Sequence, residues 1–259
     1  MTAPYPVAAP VEPPKKRSLR WLWWLIGIVV VLAVLLVVAD VATRAYAEGR
    51  ASAEIASSLP DNVQGDIDVS IGGASFLAQV VTGRISEVTL DAPDLTVSGV
   101  PVAAHVVADG VPTDLSQPID QVHATLTLDQ AAVDKVISIP GGSSLVLGDG
   151  EISYDGSLSV LGFTVGYHVT GEVTASGTDV MIQPGDATLD QGAGSLNLDL
   201  DQLLGGVTNK PITVCVANYL PQGAQIESLA VTEGQATVNL TARDFVANEQ
   251  SFSTMGSCG

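Results

Sequence analysis

Basic side chains are scarce: ten Lys and Arg stand against twenty-eight Asp and Glu in 259 residues, for a net charge of -18. From Val41 onward the imbalance sharpens to six basic and twenty-six acidic residues, a net of -20. An acidic surface of this kind is repelled by phosphate backbones and anionic headgroups alike, which argues against a nucleic-acid partner and against lipid binding through a basic patch. Histidine and cysteine are nearly absent too. His105, His123 and His168 are scattered, each on the side of its strand opposite the main apolar row, and the chain has no H-E-x-x-H, C-x-x-C, G-x-S-x-G or Walker-type loop. Gly148-Asp149-Gly150-Glu151 fails the spacing of an oxygen-ligand calcium loop and reads as a hairpin turn. Asp66 and Asp68 fall on the outward face of an alternating strand, as a solvated face. No metal, cofactor or enzymatic constellation is expected. The two cysteines, Cys215 and Cys258, are expected to pair as a structural disulfide, with two free thiols as the alternative.

What the sequence does have is one long apolar run. Trp21 to Ala39, WLWWLIGIVVVLAVLLVVA, has nineteen residues without a charged side chain. At about 1.5 Å rise per residue such a helix spans roughly the 30 Å hydrocarbon layer and satisfies its backbone polar groups internally. Lys15, Lys16, Arg17 and Arg20 precede it and acidic residues prevail after it, so the positive-inside rule leaves the N-terminus cytoplasmic and the rest of the chain extracytoplasmic. The expected organisation is a disordered tail over 1–18, a transmembrane signal-anchor over 19–39, one domain over 40–247 and a C-terminal tail over 248–259 tied back by the disulfide. Ala45-Tyr46-Ala47 resembles a signal-peptidase site. Cleavage after Ala47, with release into the envelope, is therefore the alternative to a retained anchor.

Beyond the span, an Ala-rich stretch from Asp40 to Leu59 carries Arg44/Glu48 and Arg50/Glu54 four apart, a helical pattern closed by Pro60. Alternation at period two then recurs through Ile67/Val69/Ile71, Val102/Ala104/Val106, Val122/Ala124/Leu126/Leu128, Tyr167/Val169/Val173 and Ala236/Val238/Leu240. With no βαβ rhythm, this predicts an α+β domain whose strongly curved, mainly antiparallel sheet is accompanied by few helices. One helix is expected over Leu128 to Ile139 and a short turn over Asp199 to Leu204. Leu158 to Val165 is read as a strand apolar on both sides, Leu158 and Val160 against Leu161, Phe163 and Val165. Its second face packs under a helix or lines an apolar tunnel.

Gly72 to Arg84, GGASFLAQVVTGR, reads as a short amphipathic helix. Ser75 can cap its start, Phe76, Leu77, Val80 and Val81 share a face, and Gly83 suits the left-handed residue that stops it. The pattern G-x-x-F-L-x-Q-x-x-x-G-R, following a membrane segment, an Ala-rich helix and a strand, resembles the actinobacterial LmeA-like family of envelope phospholipid-binding proteins, catalogued as a domain of unknown function. The likeness covers roughly residues 40 to 245, with Ser75 standing where the family commonly has Pro.

The resemblance implies an elongated, tubular lipid-binding fold related to bactericidal permeability-increasing protein, in which a curved sheet wraps around a helix and an acyl-chain groove. It implies non-catalytic binding and presentation or transfer of a phospholipid or lipid-linked glycan precursor, with membrane attachment through the chain's own helix. The alternative is an envelope scaffold with a dry core. The candidate lipid-binding residues are Phe76, Leu77, Val80, Val81, Arg84, Leu161, Phe163 and Val165. For Phe76 and Leu77 the competing reading is helix-to-sheet packing. For Arg84 a salt bridge or helix cap competes with a headgroup-phosphate contact.

Overall fold

A computed structural model describes residues 20–59, 62–136, 145–160, 163–191, 194–198 and 211–258. It comprises two compact units, Met1–Ala42 and Thr43–Gly259. Helix α1, Arg20–Ser58, runs through the apolar stretch and the Ala-rich segment without a break. It is long and apolar enough to cross a membrane. The expected tail over 1–18 lies outside the described residues, as does the turn expected over Asp199 to Leu204.

The second unit holds two antiparallel sheets. The first is built from β1 (Val63–Gln64), β2 (Asp68–Ile71), β3 (Arg84–Val97), β4 (Val100–Pro112), β5 (Ile119–Asp129), β12 (Ala224–Thr232) and β13 (Gln235–Phe245). Its order is β1-β3-β4-β5-β13-β12, with β2 also paired to β3. The second is built from β6 (Leu145–Leu147), β7 (Glu151–Val160), β8 (Phe163–Ser176), β9 (Asp179–Gln191), β10 (Gly194–Leu198) and β11 (Ile212–Cys215). Its order is β10-β9-β8-β7-β6, with β11 on β9. Neither sheet closes on itself among the described residues. Besides α1 there are α2 (Phe76–Thr82), α3 (Gln130–Val136), α4 (Glu249–Ser253) and a 3-10 turn over Ala217–Tyr219.

Two expectations need correction. Leu158 to Val165 is not one strand. Val160 pairs with Phe163, Ser159 with Thr164 and Leu158 with Val165, so the chain reverses between β7 and β8. The helix expected from Leu128 starts instead at Gln130. Leu128 pairs with Ala236 inside the first sheet, and Asp129 caps the helix by accepting from the Ala132 amide at 2.7 Å. Residues 137–139 of that expectation lie outside the described residues.

The C-terminal part of α1 belongs to the sheet unit, and its attachment follows from two matching periods. Strand β2 uses one edge to pair with β3. On its other edge the Val69 amide donates to Ser52 Oγ at 3.1 Å and the Ile71 amide to Glu48 Oε1 at 2.8 Å, while Arg44 Nη2 donates to the Gly73 carbonyl at 2.9 Å. Four helical residues rise about 6 Å, and two strand residues advance about 6.6 Å. Positions 44, 48 and 52 of the helix therefore keep step with 73, 71 and 69 of an antiparallel strand. Side chains stand in for a missing strand and occupy an edge that would otherwise template aggregation. Replacing Glu48 with Ala leaves the Ile71 amide without this charged acceptor. Stability of the full chain should fall by about 2 kcal/mol, read from the urea midpoint at unchanged slope.

The two sheets are joined along strand β12. Gly177 and Ile226 exchange backbone bonds of 2.8 and 2.7 Å, and Gly150 N donates to the Val231 carbonyl at 2.9 Å. There Val133 of α3, Leu147 of β6 and Val231 of β12 form a buried cluster, with Leu128, Ile152, Leu229 and Ala236 packed on it. The Gln130 amide completes the joint. Its Oε1 accepts from the Leu147 amide at 2.9 Å and its Nε2 donates to the Leu145 carbonyl at 2.5 Å, so it acts as one more strand partner for β6.

Candidate functional site

The sequence from Gly72 to Arg84 folds around one buried amide. Ser75 Oγ accepts from the Ala78 amide at 3.3 Å, capping α2, and Gly83, at φ 80°, ψ 10°, ends it with its amide on the Gln79 and Val80 carbonyls. Only 8 % of Gln79 is exposed. Its Nε2 donates to the carbonyls of Gly72 (3.0 Å) and Ser75 (3.2 Å), and its Oε1 accepts from the Ser86 amide (2.6 Å). The helix is thereby tied both to the strand before it and to the strand after it. Gly73, at φ +92°, leaves the space that this amide fills, since a Cβ there would lie 2.6 Å from Gln79 Nε2. Replacing Gln79 with Ala strands three backbone groups at once. At about 1 kcal/mol or more for each, a loss of about 3 kcal/mol is expected in chemical unfolding, whereas Gln79→Glu should retain part of it.

Arg84 follows the helix and donates from Nη1 to Asp120 Oδ1. That bond and the Asp120 charge raise the Arg84 pKa above its ordinary value. The three histidines likewise stand beside carboxylates: His105 by Asp91 (2.5 Å), His168 by Asp155 (2.7 Å) and His123 by Glu227 (3.8 Å). Among the described residues, no group of three His, Cys, Asp or Glu is placed to hold a metal ion.

The register of the first sheet sorts its residues by polarity. One row across it reads Val69, Leu90, Val106, Ala124, Leu240, Ile226, and the next apolar row reads Ala92, Ala104, Leu126, Val238, Leu229. The row between them, on the opposite face, reads Asp68, Asp91, His105, Thr125, Asn239, Ser228. It is laced by hydrogen bonds, Thr125 Oγ1 to Asn239 Oδ1 at 2.8 Å and Asn239 Nδ2 to Ser228 Oγ at 2.9 Å. Along these rows one face is apolar over six strands and the other polar, exposed at Asp68, Asp91 and His105 and half-buried at Thr125, Asn239 and Ser228.

Burial on the apolar face runs opposite to that of an ordinary core. It is deepest at the margins, where Val69, Ala92 and Ile226 are buried. It is also deep in two end clusters, one around Ala108, Val111 and Ile119 and the other around Val133, Leu147 and Val231. The middle, where Val106, Ala124, Leu126, Val238 and Leu240 meet, is only half-buried. A soluble sheet ordinarily covers its central strands best, because that is where apolar area is most concentrated. Among the described residues this one has an apolar strip that is only half-buried between two buried ends. In the second sheet Tyr154 and Tyr167 are in ring contact at 5.9 Å and Val173 is paired to Ile182.

A model of the LmeA-like phospholipid-binding family matches residues 38–241. The chain belongs to this family. No curated protein and no solved structure matches it. The match begins beyond Trp21 to Val37, takes in the attachment residues Arg44, Glu48 and Ser52 together with the GGASFLAQVVTGR segment, and ends within β13.

In this LmeA-like domain the candidate residues do not form one constellation. Phe76 and Leu77 are half-buried on α2, whereas Val80 is 44 % and Val81 87 % exposed. Arg84 is engaged by Asp120. Leu161 lies outside the described residues, and Phe163 and Val165 are placed as β8 backbone only. Cys215 and Cys258 form a disulfide, Cα atoms 5.9 Å apart, that ties the chain end to β11. The half-buried strip on the first sheet escaped sequence reasoning as a site. Its alternation was legible, but alternation does not reveal which part of an apolar face is left uncovered.

Proposed function

We propose that this protein binds phospholipid, or another acylated envelope lipid, by laying acyl chains on the open apolar strip of the first sheet, and that it presents or transfers that lipid without catalysis. The observation that carries the reading is the inverted burial: central positions Val106, Ala124, Leu126, Val238 and Leu240 are half-buried while the margins are closed. Family membership supports the ligand class. Each buried CH₂ contributes about 0.8 kcal/mol, so an acyl chain supplies affinity without a charged site. This suits a domain whose residue Arg84 is already paired. The two sheets, joined along β12, would curve around the bound chains as in tubular lipid-binding proteins.

In this reading Trp21 to Ala39 is a retained anchor, with the N-terminus cytoplasmic and the domain over 40–247 extracytoplasmic. The bonds from Arg44 to Gly73 and from Ile71 to Glu48 support retention, because cleavage after Ala47 would remove the first and put a charged amino terminus on the second. Terminal sequencing of the mature protein should find residues that precede Trp21. A mature N-terminus at Glu48 would overturn the anchor.

The lipid reading is tested by native mass spectrometry of the full chain released from detergent micelles. One or two phospholipid masses per chain should survive removal of detergent and disappear from variants of the strip. A chain that flies bare, or whose lipid is indifferent to those variants, would point to a dry scaffold.

A further inference from the structure

The end of the first sheet that carries α2 exposes apolar side chains for which the fold has no use. Val81 is 87 % exposed and Val80 44 % exposed at the tip of α2, and Leu115 is 54 % exposed in the loop joining β4 to β5. The two elements are fastened side by side, since Thr113 N and Thr113 Oγ1 donate to the Gly83 carbonyl at 3.1 and 3.3 Å. The loop is itself pinned. Asp114 Oδ1 accepts from Ser116 N (3.1 Å) and Ser116 Oγ (2.7 Å), bonds that hold the Asp114 carboxyl below its usual range, and the Gln117 amide closes a turn on the Asp114 carbonyl at 3.0 Å. Leu115 is therefore presented rather than left loose.

The chain enters the sheet unit at this same end. Arg44, its second residue, is bonded to Gly73, which leads into α2, while Ser52, two helical turns later, is bonded to Val69, farther from α2. In sequence the apolar run stops at Ala39, four residues before Thr43. The end bearing Val81 and Leu115 is thus the end to which the membrane run is covalently closest.

We propose that the tip of α2 and the 113–118 loop dock on a zwitterionic lipid surface, inserting Val81 and Leu115, and that lipid passes to the apolar strip from this end. The charge of the region selects that surface. Of its cations, Arg84 is engaged by Asp120 and Arg44 by the Gly73 carbonyl, while the Asp114 carboxylate, held ionised by Ser116 beside Leu115, would be repelled by anionic headgroups. Contact by apolar insertion needs neither a basic patch nor low salt. The inference rests on the lipid-binding reading for its purpose but not for its geometry, so the two fail separately.

The test places an environment-sensitive fluorophore on V81C or L115C in the full chain, whose two native cysteines are joined to each other. The protein is reconstituted in phosphatidylcholine nanodiscs. A label on Q235C, at the exposed first residue of β13 at the other end of the sheet, is the control. Labels at 81 and 115 should shift to the blue and be quenched by nitroxide-bearing phosphatidylcholine, while the label at 235 remains aqueous. Adding L115D to V81C should return the label at 81 toward water, with co-purifying lipid unchanged. Aqueous emission at 81 and 115, equal to that at 235, overturns the docking surface even if lipid is bound. Blue-shifted labels on a chain that carries no lipid leave the docking surface standing and overturn the lipid-binding reading instead.

Discussion

Replacing Leu126 with Asp is expected to remove most co-purifying phospholipid from the protein. Leu126 is in the middle of the open strip, between Ala104 on β4 and Val238 on β13. A carboxylate there would face the acyl chain with no partner, and an unpaired charge in an apolar site is costly enough to exclude the ligand or draw water in. If the charge displaces about four CH₂ groups from the strip, the loss is about 3 kcal/mol, roughly 100-fold in affinity. Because a buried charge can also weaken the fold, Ala124→Trp supplies the complementary experiment. It fills the hollow with apolar volume, introduces no charge, and should displace lipid while leaving thermal unfolding near that of the parent. Native mass spectrometry of the two variants reads the result. Lipid that persists undiminished in Ala124→Trp would place the ligand elsewhere in the molecule.

The second large effect is expected from the double replacement Cys215→Ser, Cys258→Ser. The two residues are 43 apart in sequence, and the entropy of closing a loop of that length in the unfolded chain corresponds to about 4 kcal/mol. The loop is not an appendage. It contains β12 and β13, two strands of the first sheet, while Cys215 ends β11 on the second. The bond therefore constrains both sheets. Loss of about 4 kcal/mol from a unit of this size lowers the melting temperature by roughly 8–16 °C. Scanning calorimetry of the full chain, with the variant compared against the oxidised parent in the absence of reductant, measures it. A fall of only a degree or two would mean that the C-terminal segment unfolds on its own without taking the sheets with it.

Membership in a phospholipid-binding family supports a lipid ligand, and the proposed place for it is the half-buried apolar strip. The motif that carries the family resemblance has a different job in the fold. Of its residues, Gln79, Gly83 and Ser75 build and fasten α2, Gly73 leaves room for the Gln79 amide, and Arg84 closes on Asp120. A motif so occupied is first an architectural one. The apolar side chains it sends outward, Val80 and Val81, are the ones left free for a surface.

By itself the sequence determined whatever depends on near neighbours along the chain. The nineteen apolar residues from Trp21 to Ala39 require a helix if they enter a bilayer. The alternation of Val122, Ala124, Leu126 and Leu128, and of Ala236, Val238 and Leu240, assigns strand faces before any partner is known. Ser75 and Gly83 delimit α2 because caps act within one turn. Tertiary structure decided whatever depends on partners distant in sequence. Gln79, Gln130, Glu48 and Ser52 show no strand partner in the sequence, and folding brings each beside a strand edge whose amide or carbonyl needs one. The reversal between Val160 and Phe163 is invisible to periodicity, because a two-residue connection interrupts an apolar run without adding polar residues. The open strip depends on the same distinction. Side-chain parity fixes which face of a sheet is apolar, but only the packing of helices and the second sheet decides how much of that face is covered, and here the middle is left half-covered.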